Sequence, residues 1–136
     1  MPPFDVNIVP VLIAAVINMA VGVLWYSPFL FGKIWLSAIG KTKDDFGVGS
    51  AGMIYAVNTI AAVVVSYFLF ILVKYSGASS LTQGAQMGFW VWLGFVATTV
   101  LPAYMYEMRP KRLYLIYISF QLIAFIIMGA VFSLWV

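Results

Sequence analysis

FGVGSAGMIYAVNTIAAVVVSYFLFILV, residues 46–73, contains no Asp, Glu, Lys or Arg. In a helix rising 1.5 Å per residue, about 20 residues cross a hydrocarbon core of roughly 30 Å, and this stretch is longer than that. Working outward, the same absence of charge recurs in residues 6–32, 75–106 and 113–136. The charged residues fall between these stretches, at Asp5, Lys33, the 41–45 loop, Lys74 and the 107–112 turn. Lipid offers no hydrogen bonds to the backbone and penalises charge, so each stretch is predicted to be a helix. The fold class that follows is all-α: an integral membrane bundle of four transmembrane helices in one domain, residues 1–136, with spans at about 7–27, 51–73, 81–106 and 112–135.

Composition agrees. With 65% hydrophobic residues in 136 and a mean hydropathy of +1.07, little chain remains for a soluble domain. Seven Lys/Arg against four acids give a net charge of +3, which in so apolar a chain is an orientation signal and not a nucleic-acid footprint. Cysteine and histidine are both absent. Disulfides, thiolate nucleophiles, imidazole metal ligands and imidazole acid–base catalysis are therefore excluded together. Residues 1–6 carry no Lys or Arg and residues 25–31 are too bulky for a small-residue cleavage site, so the first span is expected to be retained.

Local signals place the ends. Asn7 as N-cap puts Pro10 inside the first helical turn, where its missing N–H is harmless. Ser27-Pro28 reads as a fresh start, Ser as cap and Pro as first residue, for a short interfacial helix over about 28–39 stopped by Gly40, with Lys33 turned to water. Thr42 with Asp45 fits a capped turn, and Gly47, Gly49 and Gly52 loosen the entry to the second span. Gly77 is a helix stop, Ser80 with Gln83 a capping box, and Pro110 the start of the fourth span. The second and third spans are expected to pack antiparallel. Every Lys and Arg except Lys74 flanks the first or third connection. The expected placement is thus the cell membrane, with both termini outside and those connections in the cytoplasm.

Within the spans there is uncharged polarity but no ionisable acid or base, which counts against proton-coupled or carboxylate-based cation transport. Asn18 and Gly22 share one face of the first span, and Asn58, Thr59, Gln86 and Gln121 lie on the others. Two readings stand for this set: hydrogen bonding between closely packed helices, or the lining of a small polar path. Packing is favoured, because small residues beside single amides are how membrane helices ordinarily meet. Gly84 and Gly88 form a G-x-x-x-G that lets another helix approach. Pro102 deprives the Thr98 carbonyl of its donor, and the Thr98 and Thr99 hydroxyls are placed to compensate, giving a kink. Arg109, Lys111 and Arg112 are read as contacts for anionic lipid. Glu107 beside Arg109 reads as an orienting ion pair, and Asp44-Asp45 as a solvated loop too poor in ligands for a metal.

The segment Gly22-Val-Leu-Trp25-Tyr26-Ser27-Pro28-Phe29-Leu30-Phe31-Gly32-Lys33-Ile34-Trp35, with Trp92-Leu93-Gly94-Phe95, Thr98 and Gly129, resembles a family of small bacterial and archaeal membrane proteins known as domain of unknown function 1761. The resemblance covers nearly the whole chain and implies a four-span protein. It brings no catalytic or binding residue with it. Physically, the segment suits an elbow: Trp25 and Tyr26 anchor at the interface, Ser27-Pro28 turns the chain, and Gly32 lets the short helix lie close to the bundle. The same residues, Trp25, Tyr26 and Trp35, also suit an aromatic pocket for a lipid or apolar ligand.

The function expected from these observations is association. The chain is read as a non-enzymatic, cofactor-free membrane subunit whose partners are lipids and a second copy or another membrane protein, with no nucleic acid. The alternative is a small permeation or lipid-handling protein.

Overall fold

A computed structural model describes residues 6–40 and 48–135. The features expected at Thr42, Asp44, Asp45, Gly47 and the chain start lie outside the described residues. Every regular element within them is helical: α1 Ile8–Trp25, α2 Gly32–Ile39, α3 Val48–Tyr75, α4 Leu81–Trp92, α5 Thr98–Tyr106 and α6 Lys111–Phe132, with one π-helical turn, Leu93–Ala97, joining α4 to α5. Four helices are long and apolar enough to cross a membrane, at Ile8–Trp25, Gly52–Tyr75, Leu81–Tyr106 and Lys111–Phe132.

Several ends form as their residues predict. The Asn7 side chain accepts from the Val9 N–H at 3.0 Å, and Pro10 is buried inside the first turn. Gly40 and Gly77 hold φ of 70° and 80°, the left-handed region that stops a helix. Ser80 accepts from the Gln83 N–H at 3.2 Å. The reciprocal bond lands one residue earlier than a capping box places it: Gln83 Oε1 accepts from the Ser79 N–H at 2.8 Å.

The elbow after α1 differs from expectation. Ser27 does not cap α2; its hydroxyl donates back to the Leu24 carbonyl at 2.6 Å, closing α1. Residues 28–31 form a turn held by the Gly32 N–H on the Ser27 carbonyl at 2.9 Å, and α2 begins only at Gly32, with no side-chain cap. The reason is competition, since one serine hydroxyl at a helix junction satisfies the orphan carbonyls behind it or the orphan amides ahead of it. Gly32 is required by contact: a β-carbon there would strike the Tyr26 carbonyl oxygen and stand 2.8 Å from that of Ser27.

Packing is dominated by α4 on α6, with α1 lying chiefly against α3 and then α6. The expected α3–α4 pairing is present but is the lesser contact of each helix. Glycine decides this. A β-carbon on Gly84 would fall on the Gly129 carbonyl oxygen, one on Gly129 on that of Gly84, and one on Gly88 on that of Phe125. The G-x-x-x-G of α4 is thus consumed inside the chain, by α6, and backbone meets backbone at the crossing. The core clusters around it: Val11 and Ala14 of α1, Leu69, Phe70 and Val73 of α3, and Met128 and Phe132 of α6. The Phe70 and Phe132 rings meet edge-on with centroids 5.3 Å apart.

Towards the other end the bundle opens. Every residue of α3 from 52 to 61 is exposed, and α5 buries none of its residues. The π turn precedes this divergence. The Thr98 and Thr99 hydroxyls donate to the Gly94 and Phe95 carbonyls at 2.8 and 2.7 Å, within the π turn, and not to the carbonyl that Pro102 leaves without a donor. The Ala97 carbonyl accepts from the Tyr114 hydroxyl of α6 at 2.9 Å. A π turn holds an extra residue, so the helix beyond it presents a different face to its neighbours.

Candidate functional site

The open end holds a cleft of about 480 Å³ between α1, α3, α2 and α6. Its walls bring together residues far apart in the chain: Asn18, Gly22 and Tyr26 from the first span and its end, Trp35 from α2, Asn58 from α3 and Phe120 from α6. Asn18 is 7% exposed and its amide donates to the Met128 sulfur at 3.7 Å, a weak bond that holds the side chain against α6. Gly22 sits under Phe120, where a β-carbon would stand 3.2 Å from the ring. Tyr26 packs edge-on to Trp35 at 5.2 Å and to Phe120 at 5.9 Å, making an aromatic floor. Asn58 faces the cleft from the exposed half of α3. Chemically, this is an apolar hollow with two amides, open at the surface of the bundle.

The other polar candidates lie elsewhere. The Thr59 hydroxyl donates to the Tyr55 carbonyl within its own helix at 2.8 Å. Gln86 lines a separate groove with Gln83, Met87 and Trp90. Gln121 donates to the Tyr117 hydroxyl at 3.2 Å, while its buried Oε1 accepts no hydrogen bond among the described residues. Asn18 and Asn58 therefore line one cleft, and Gln86 and Gln121 do not join them. Of the elbow residues, Tyr26 and Trp35 line the cleft. Trp25 instead ties α1 to α6, its indole N–H donating to the Ser119 hydroxyl at 3.1 Å. Ser27 and Pro28 belong to the turn, and Lys33 is exposed on α2. Among the described residues no group of three or more His, Cys, Asp or Glu comes together.

A second feature at this end was not legible from residue types. The α5–α6 turn closes as a Schellman motif: the Met108 N–H bonds the Met105 carbonyl at 3.1 Å and the Arg109 N–H the Tyr104 carbonyl at 3.0 Å. The left-handed position, usually glycine, is Met108 at φ 56°. This turn swings Arg109 back over the Tyr104 ring, 4.2 Å from its centroid, with Glu107 3.7 Å from the guanidinium. Arg112 and Lys111 are exposed beside it. Tyr104 stacks on Tyr117, which meets Phe120, so one row of rings runs from this basic turn to the floor of the cleft.

Residues 9–133 match the family described as Protein of unknown function (DUF1761). The chain belongs to this family. The match spans both the glycine crossing and the cleft, so the DUF1761 unit is the whole bundle and not one part of it. Neither curated proteins nor solved structures gave a match to this DUF1761 chain.

Proposed function

We propose that this DUF1761 protein is a non-enzymatic subunit of the cell membrane that works by association, its open half taking a helix from a second copy or from another membrane protein. The observation that carries this is α3: residues 52–61 are exposed around the whole circumference and include Tyr55 and Asn58. An amide left facing hydrocarbon is costly, and a neighbouring helix is the usual means of satisfying it. The cleft favours a second reading, lipid handling, in which the hollow lined by Asn18, Asn58, Tyr26 and Trp35 takes an amphiphile with a hydrogen-bonding head. One experiment separates them. Cysteine pairs at Val57 and Ala61 should cross-link copies or a partner in native membranes, and Asn58→Leu should abolish the adduct. A chain that is monomeric and partner-free in lipid overturns the association reading; if it also retains a lipid that Asn58→Leu releases, the second reading stands.

In the same proposal both termini and the 75–80 linker face outward, and α2 lies along the inner interface. Lys33, Arg109, Lys111 and Arg112 at the open end and Lys74 at the other support this orientation. Single cysteines at Ser37 and Ser79, both exposed, should label from opposite sides; labelling of both from outside overturns it.

A further inference from the structure

We infer that the α5–α6 turn is a specific site for one anionic phospholipid, its phosphodiester held by Arg109 and Lys111 and an acyl chain lying in the slot beneath them. The slot has a volume of about 210 Å³, with Arg109 and Lys111 at its rim and Leu101, Leu115, Tyr104 and Tyr114 among its walls. The walls are fixed in place. Tyr114 is tied to Ala97 by its hydroxyl, and Tyr104 meets Tyr114 edge-on with centroids 5.8 Å apart. Arg109 is held as well: stacking on Tyr104 pins its guanidinium, so less side-chain freedom is lost when it meets a ligand. Two cations above an apolar slot at the end of a membrane-length helix complement a single kind of molecule, one with negative charge at the headgroup and hydrocarbon below it. The backbone points the same way, since Met108 occupies the left-handed region and its φ of 56° is what returns Arg109 to the ring. Arg112 does not line the slot, so the site is narrower than the basic cluster as a whole.

Glu107 sets the sign of the test. It lies 3.7 Å from Arg109 and opposes a phosphate there, whereas it would welcome the amine of a zwitterionic headgroup. The purified full chain in detergent is offered phosphatidylglycerol, phosphatidylethanolamine or phosphatidylcholine, and the bound lipid is counted by native mass spectrometry; inorganic phosphate and glycerol phosphate serve as tail-less probes. The parent should retain one phosphatidylglycerol in preference to phosphatidylcholine, by about fivefold for each basic side chain and about 25-fold for the pair. Arg109→Gln with Lys111→Gln should bring the two lipids to parity, Glu107→Gln should strengthen phosphatidylglycerol retention, and Arg112→Gln should change little. Saturable binding of the tail-less probes with no advantage for the lipid would make this an anion site and overturn the proposal. So would equal retention of phosphatidylglycerol and phosphatidylcholine by the parent, an undiminished preference in the double variant, or a preference for phosphatidylethanolamine lost in Glu107→Gln.

Discussion

The two ends of this bundle are built on opposite principles. Around Gly84, Gly88 and Gly129 the chain removes side chains so that backbones touch, and the surrounding core, Phe70, Met128 and Phe132 among it, is wholly enclosed. At the other end α3 and α5 carry full-sized side chains that no other part of the described chain covers, and a cleft lies between α1 and α3. Lipid tails are as apolar as leucine, so hydrophobicity does not by itself draw membrane helices together; close backbone approach and hydrogen bonds do. The closed end relies on backbone approach at its glycines, whereas the Trp25–Ser119 and Tyr114–Ala97 bonds between helices lie toward the open end. The open end also leaves Tyr55 and Asn58 on a stretch of α3 that is exposed among the described residues, and it is there that the proposed partner or ligand would sit.

The contrast breaks most readily at the glycine crossing. Gly88→Leu puts a branched side chain where even a β-carbon meets the Phe125 carbonyl oxygen, so α4 must leave α6. The expected loss is about 3 kcal/mol or more, the upper range for overpacking. It would be read as a collapsed thermal transition in detergent or as failure to accumulate in the membrane. A variant that melts like the parent would show that the crossing is not what holds the closed end.

How much of this was readable in the sequence depends on the kind of signal. The four long helices were legible, because charge exclusion over a bilayer's length is a composition effect needing no tertiary knowledge. Caps were legible where a residue has a single use, as at Asn7, Gly40 and Gly77, and misread at Ser27, whose hydroxyl had two helices to serve and went to α1. The G-x-x-x-G announced close approach without saying to which helix, since α6 supplies the matching Gly129 from a position that only the fold brings near. The π turn left no mark that periodicity could register, and Met108 is a residue nobody would place in a left-handed cap. Of the site, Asn18, Gly22, Asn58, Tyr26 and Trp35 were each singled out by type, but their convergence on one cleft, without Gln86 or Gln121, is a matter of helix rotation.

The open end's turn should respond in the reverse direction from the crossing. Met108→Gly relieves a left-handed conformation that costs an L-residue roughly 1–2 kcal/mol, so the thermal transition should rise. The lipid preference proposed for Arg109 should survive, because glycine adopts the same φ. A fall in stability would mean that the exposed Met108 side chain makes contacts that outweigh its strain.

A smaller effect is expected where α1 is tied to α6. Trp25 donates to Ser119 across α1 and α6 near the open end, and an interhelical bond of this kind is worth about 0.6 kcal/mol on average. Trp25→Phe keeps most of the ring but loses the donor. Ser119→Ala leaves the indole N–H without that acceptor, although the Ser119 hydroxyl also donates to the Leu115 carbonyl at 2.7 Å within its own helix. Each single change should lower the transition slightly, and the double variant should lose little more than either alone. Additive losses would show that the bond contributes nothing and that each residue acts through separate contacts.

The smallest effect on the isolated chain, and the one that tests the contrast most sharply, is expected at Asn58. Its side chain faces the cleft from a stretch of α3 that the described chain leaves exposed, so Asn58→Leu removes nothing from the core and adds an apolar surface well suited to lipid. The thermal transition in detergent should stay within about 0.5 kcal/mol of the parent, as for a substitution away from packed features. Asn18→Leu, made across the same cleft, should differ: Asn18 is buried and its amide bonds the Met128 sulfur, so leucine, though of similar shape, forfeits that bond and sets larger methyl groups against α6. Two asparagines on one cleft thus separate the principles on which the ends are built, one belonging to the packed half and one to the exposed stretch of α3. If Asn58→Leu proves as destabilising as Asn18→Leu in monomeric protein, α3 is packed along its whole length and the open half does not exist in solution. If stability holds while cross-linking between chains or retention of lipid is lost, the amide's role lies in what the cleft receives.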